Sequence, residues 1–244
     1  MIPNLQVRRN INTLEYPIWS PSTALSKLGE ISTNKYLLEC SIGLPTSKDI
    51  DILNHLLAKA QLGDTNIVEY KSIYSFIKEL GMTPSIKEYI RVKKSINRWH
   101  KSYINYKNNS FYIAPGKYRS NPHISIIKNT SEEPFSIVFN ETFIDLNNAK
   151  YSLNLSSNFM RSIEKPYAKR LYEILVKSFR GNNEFSISTE KLMDKIPIRT
   201  FKNRIYRVTN SSIQYLNQKA FDNNMELRWN FFISKDGIIT FTEV

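Results

Sequence analysis

Between Arg199 and Lys219 the chain carries Arg199, Lys202, Arg204, Arg207 and Lys219 and no acidic residue. At about 100° per residue, Phe201, Ile205, Val208, Ser212, Tyr215 and Leu216 fall on one side of a helix. Asn203, Tyr206, Arg207, Asn210, Gln214 and Asn217 fall on the other. Downstream, Leu227, Trp229 and Phe231 alternate with Arg228, Asn230 and Phe232, and Lys235-Asp236-Gly237 supplies a hairpin turn into Ile238–Thr242. A basic helix followed by a two-stranded hairpin has few folding solutions, and it is the layout of a winged-helix DNA reader. The outward face suits that use. Asn and Gln present a donor beside an acceptor and match adenine, whereas Arg forks onto guanine. The competing reading, a solvated face on a basic protein, is disfavoured because a second helix-length stretch also lacks acids apart from one.

That second stretch, residues 85–106, holds Lys87, Arg91, Lys93, Lys94, Arg98 and Lys101 against the single acid Glu88. Over all 244 residues, 34 Lys and Arg oppose 22 Asp and Glu, a formal charge of +12. The excess is shared: residues 1–133 contain 18 basic and 11 acidic side chains, and residues 134–244 contain 16 and 11. A polyanion such as a phosphate backbone is therefore the expected partner. No apolar run approaches membrane-spanning length, and no secretory leader or lipidation signal is recognisable, so a cytoplasmic protein without a membrane partner is expected. Cys40 is the sole cysteine, which rules out an internal disulfide or a cysteine-based zinc cluster and suits a small buried residue on a strand.

The element order reads as a repeat. In the first half, Tyr36–Ile42 alternates as a strand. Thr46 or Ser47 caps a helix with Asp49 and Asp51 in its first turn and Ile52, Leu53, Leu56, Leu57 and Ala60 inward. A short helix at Lys71–Leu80 stops at Gly81, and Pro84 opens the long basic helix. Strand-like pieces at Phe111–Ala114 and His123–Ile127 follow, joined by a loop with Lys117 and Arg119. In the second half come a helix at Pro166–Phe179, a strand at Glu184–Ser188, a helix from Thr189 to Lys195, the basic helix and the hairpin. The expected architecture is α+β with two tandem winged-helix domains, residues 1–133 and 134–244, divided at the polar stretch Asn129–Pro134.

Residues 139–175 add a resemblance. Asn140-Glu141-Thr142-Phe143-Ile144 leads through Tyr151, Leu153, Leu155 and Ser162-Ile163 to Ala168-Lys169-Arg170-Leu171-Tyr172-Glu173-Ile174-Leu175. This pattern, with Leu14-Glu15-Tyr16-Pro17-Ile18 and the Asp49–Leu57 helix, resembles plasmid replication initiators of the replication initiator A type. The resemblance implies a non-enzymatic protein that binds repeated double-stranded sites at an origin, opens adjacent AT-rich DNA, recruits host replication proteins and forms a homodimer when binding is switched off. It places Lys202, Asn203, Arg204, Arg207, Asn210 and Gln214 in the major groove, with Tyr206 on the same face and Lys235 against the backbone beside the wing. Lys87, Arg91, Lys94, Arg98 and Lys101 become phosphate contacts of the first unit, with Lys117 and Arg119 on its loop.

Other functions find less support. Of His55, His100 and His123 no two are close enough in sequence to form the metal-binding pair of a nicking enzyme. Asp49-Ile50-Asp51 has the spacing of a magnesium-binding acid pair in a primase, but its place at a helix start explains it by the helix dipole. Gly116-Lys117 lacks the rest of a phosphate loop, and no cofactor or metal is expected. Stacking of Phe111, Tyr112, Trp229 and Phe231 on single-stranded bases competes with simple core packing. Among binding proteins the rival reading is a winged-helix transcriptional regulator.

Overall fold

The computed structural model describes residues 5–119, 122–132, 134–197 and 202–243. Its mixed helices and strands cluster into two compact units. Unit 1 comprises residues 1–13 and 18–158, and unit 2 comprises residues 14–17 and 159–244.

Unit 1 begins with β1 (Gln6–Asn10), the first three residues of α1 (Ile11–Glu15), whose Leu14 and Glu15 belong to unit 2, then α2 (Thr23–Ser26), β2 (Glu30–Ser32) and β3 (Tyr36–Cys40). It continues with α3 (Ser47–Leu62), β4 (Ile67–Tyr70), α4 (Ile73–Glu79) and α5 (Ile86–His100). Strands β5 (Ser102–Tyr106), β6 (Phe111–Ala114), β7 (Lys117–Arg119), β8 (His123–Ser125), β9 (Ile127–Glu132) and β10 (Phe135–Phe139) follow. Then come α6 (Glu141–Asn148), β11 (Ser152–Ser156) and α7 (Ser157–Ser162), the last running into unit 2.

The sheet that carries the hairpin of unit 1 has the order β4-β10-β9, entirely antiparallel. This moves the wing. Phe111–Ala114 and His123–Ile127, expected to pair as the hairpin, do not: β6 pairs with β7, and β8 joins the sheet β2-β3-β5-β8. The residues between α5 and β9 are thus an insertion. The helix expected to reach Tyr106 stops at His100, because Ser102, Ile104 and Tyr106 alternate inward and pair with β3. The expected boundary at 133/134 falls between the two wing strands, with β10 hydrogen-bonded on both sides, and the units instead divide between Asn158 and Phe159.

α5 is held from both ends. Ser85 caps its start, its side chain accepting from the Glu88 amide at 3.3 Å. At its far end Arg98 donates to the buried Asp49 carboxylate at 2.9 Å, and the Trp99 indole donates to the Asp49 carbonyl at 2.9 Å. Asp49 also accepts from the Thr46 amide at 2.7 Å, closing the first turn of α3. Val92, Ile96 and Trp99 of α5 are buried, as are Leu53, Leu56 and Leu57 of α3 and Ile137 of β10. Each such side chain stabilises by about 1.5–3 kcal/mol. Glu79 of α4 joins α3 to β4: it pairs with Lys59 at 3.1 Å, lies 3.0 Å from His55 and accepts from the Tyr70 hydroxyl at 3.1 Å. Burial raises its pKa, but these partners outweigh burial and hold it below the ordinary carboxylate value.

Unit 2 holds α8 (Pro166–Ser178), β12 (Glu184–Ser188), α9 (Thr189–Lys195), α10 (Lys202–Asp222), β13 (Trp229–Ile233) and β14 (Ile238–Glu243). Its sheet order is β12-β14-β13, so both units run helix, strand, helix, helix, strand, strand with the third strand central. Pro166 occupies the first turn of α8, where its missing amide is no loss. Trp229 and Tyr172 meet edge to face at 6.0 Å in a core with Leu171, Leu175, Leu216 and Phe241.

Two charged groups organise this unit. Arg170 is fully buried; it pairs with the equally buried Glu173 at 2.8 Å and donates to the carbonyls of Lys195 at 2.8 Å and Glu15 at 2.9 Å. The Glu15 carboxylate contacts both Lys177 and Lys195. Burial opposes its charge, yet the two ammonium groups hold its pKa at about 2.

Glu173→Ala should destabilise unit 2 by about 3–5 kcal/mol, since it leaves Arg170 charged and buried without its carboxylate. Denaturant unfolding measures this, and a loss under 1 kcal/mol contradicts it. Glu15, with its pKa depressed in the fold, contributes stability above its ordinary pKa that is lost as pH falls toward 2. Glu15→Gln should therefore be less stable than the parent at pH 7, with the gap closing between pH 4.5 and 2 in a thermal-unfolding series.

Candidate nucleic-acid interface

α10 packs one side against unit 2 and leaves the other in solvent. Ile205, Thr209, Ser212, Ile213, Leu216 and Ala220 are buried, while Val208 and Tyr215 are half-buried. Arg204, Arg207, Ser211, Gln214 and Gln218 form a continuous exposed strip at spacings of three and four residues. Tyr206 is exposed on the flank, 5.6 Å from the ring of Phe231 in β13. Asn210 is half-buried. Asn217, expected to face outward, instead grips the wing: its side chain donates to the Trp229 carbonyl at 2.8 Å and accepts from the Trp229 amide at 2.9 Å. Residues 198–201 and the side chains of Lys202 and Asn203 lie outside the described residues. In the first turn of α8, burial pushes the Tyr167 phenol up to about 12, and the Arg204 charge acts in the opposite direction.

The wing beside α10 is anchored. Gly237 turns the hairpin at φ +74, a conformation L side chains rarely adopt, and its amide donates to the Ser234 carbonyl at 3.0 Å. Its carbonyl accepts from the Thr189 amide at 3.1 Å and the Thr189 hydroxyl at 2.7 Å. Lys235 projects from this turn, exposed. Trp229 and Phe111 are buried and cannot stack on bases.

In unit 1 the expected cations divide into two groups. Lys87 and Lys94 are exposed along the outer face of α5, and Lys101 is exposed at its C-cap. Arg91 is engaged by Glu88 at 2.8 Å and by the Met82 sulfur. Arg98 is engaged by Asp49, as described. Both arginines make fold contacts, each neutralising a carboxylate that the fold largely shields from water, and 30% of each side chain stays exposed. Lys117 and Arg119 are exposed on β7, within the inserted hairpin and not on the wing. The wing itself supplies exposed Lys128, 3.8 Å from Glu141; in the sequence Lys128 falls between the strand-like piece ending at Ile127 and the polar stretch Asn129–Pro134. Lys93 reaches the wing at Glu132, 2.8 Å away.

Residues 30–176 match the family model described as Initiator Replication protein, WH1. The chain belongs to this family of replication initiators. The matched span runs from β2 of unit 1 to α8, so it includes α5 and its wing. Among solved structures, this initiator is similar to a selenomethionine crystal structure of domains 2 and 3 of RctB, with a TM-score of 0.61 and 11% identity over 96% of each chain. A second crystal structure of RctB domains 2-3 gives a TM-score of 0.49 and 10% identity over 88% of this chain and 89% of that one. At such identity the likeness is one of fold. No curated protein matches the sequence.

Asp49 is 2% exposed and committed to Thr46 and Arg98, and no group of three metal-ligating side chains comes together among the described residues. No described helix is long and apolar enough to cross a membrane. Asp49→Ala should therefore behave as a folding lesion. Loss of the cap and of Arg98's partner should cost about 2–4 kcal/mol. A thermal-unfolding measurement showing no loss of stability would count against this role.

Proposed function

We propose that the chain initiates replication as a sequence-specific binder of double-stranded DNA, using two tandem winged-helix units to engage repeated sites at an origin. Opening of adjacent AT-rich DNA and recruitment of host replication proteins would follow from that binding, without a covalent or metal-dependent step. A homodimer would hold the form not bound to the origin. One observation carries this reading: α10 exposes Arg204, Arg207, Ser211 and Gln214 in an unbroken strip beside an anchored wing, and no acid interrupts it before Asp222. Fork and amide donors on a rigid cylinder are what discrimination of base edges needs. Lys235 on the wing turn, with Lys87 and Lys94 on α5 and Lys101 at its C-cap, fits sequence-independent backbone contact. Tyr206 and Asn210 border the strip on α10, Lys202 and Asn203 join the reading from the sequence pattern alone, and Lys117 and Arg119 add outlying positive charge.

Arg207→Ala should weaken binding to duplex selected from a random pool by about 1–3 kcal/mol and relax preference at one position. Lys94→Ala should weaken all sequences alike and reduce the salt slope by about one unit. Gel-shift titrations on specific and random duplex separate the two. Equal loss on both duplexes for Arg207→Ala would remove α10 as the base reader.

A further inference from the structure

The outer face of α5 has a composition that phosphate contact does not explain. At about 100° per residue, Ile86, Lys87, Ile90, Lys93, Lys94, Asn97 and Lys101 fall within a stripe about 120° wide, and all of them are exposed. Ile86 is 81% exposed, the highest value among the large hydrophobic side chains described, and Ile90 is 49% exposed. They lie four residues apart on neighbouring turns, so their side chains form one apolar strip along the axis. Pure backbone contact calls for cations and hydroxyls, and an isoleucine exposed to this extent gains nothing there.

Resting on the reading of the chain as a duplex binder, we infer that α5 also reads bases: Ile86 and Ile90 pack against the C5 methyl groups of thymines in the major groove. The thymine methyl is the one apolar feature of the major-groove edge, and an aliphatic side chain is its natural contact. Four residues of helix rise about 6 Å, close to two base-pair steps of about 3.4 Å each, so the two side chains reach methyls on neighbouring or next-neighbouring pairs. Lys87, Lys94 and Lys101 flank the strip, where phosphates border the groove. Asn97 follows Lys94 on the same stripe and offers an amide to an adjacent base edge.

A protein partner fits the same stripe poorly. Protein interface cores are depleted in lysine, whereas here lysines are interleaved with the isoleucines. The acids nearest the stripe are already paired, Glu88 with Arg91 and Glu132 with Lys93.

The test uses the full chain and a duplex selected from a random pool, with each thymine replaced in turn by deoxyuridine, which pairs identically and lacks the methyl. One or two positions should bind roughly 3- to 10-fold more weakly. I86A/I90A should bind the thymine duplex with a comparable loss and become indifferent to deoxyuridine at those positions, with its unfolding transition and salt slope unchanged. Three results would overturn the inference while leaving the proposed function standing. These are specific binding with no methyl-sensitive thymine, methyl sensitivity that survives in I86A/I90A, and full DNA affinity of I86A/I90A together with loss of self-association in sedimentation. Absence of any duplex preference in the parent protein would instead remove the binding reading itself.

Discussion

Arg170 carries a full charge out of reach of water, and much of unit 2 is arranged to satisfy it. Its guanidinium faces Glu173 one turn along α8, the carbonyl at the end of α9 and the carbonyl of Glu15. An ion pair of this kind adds little net stability over a well-packed apolar pair, because desolvation offsets most of the attraction. Its effect is directional. The carbonyl at the end of α9 stays at one place relative to α8, and α10 starts a few residues later. The Glu15 carboxylate, held between Lys177 and Lys195, fixes residues 14–17 to the same framework.

Unit 1 reaches a comparable result with the opposite sign. There the buried charge is the Asp49 carboxylate, which closes the first turn of α3 and receives Arg98 from α5. In unit 1 the helix with the exposed basic face is thus tied at one end by a charge the solvent cannot reach, whereas in unit 2 the buried charge ties α8 to the end of α9. The exposed chemistry differs: guanidinium, hydroxyl and amide groups on α10, ammonium and aliphatic groups on α5. Membership of the initiator family rests on the span that contains α5. The face of α10 lies outside that match and is argued from its own geometry.

Unit 2 was largely legible in the sequence, since local signals mark Pro166 at the start of α8 and Gly237 in the turn, although the cap of α9 is Ser188 and not the expected Thr189. The wing of unit 1 was not, because β5 to β8 intervene between α5 and β9 and pair partly with strands far upstream. Ile127–Glu132 is polar on both faces apart from Ile127, which makes it look like a linker; pairing with β10 reveals it as a strand. The inward set on α10 follows from its periodicity, but periodicity alone puts Asn217 outward and cannot show that it turns to a backbone partner twelve residues on. The pairing of Arg98 with Asp49 is invisible in the sequence for a related reason. The two lie forty-nine residues apart, a distance at which composition gives no information.

The grip of Thr189 on the Gly237 carbonyl fastens the bend of the hairpin to the neighbouring helix through main-chain atoms of the bend. Side chains at the bend take no part in that fastening. Lys235 can therefore be exchanged for a neutral or acidic residue without re-aiming the loop, so the charge displayed at the bend can be retuned independently of where the bend sits.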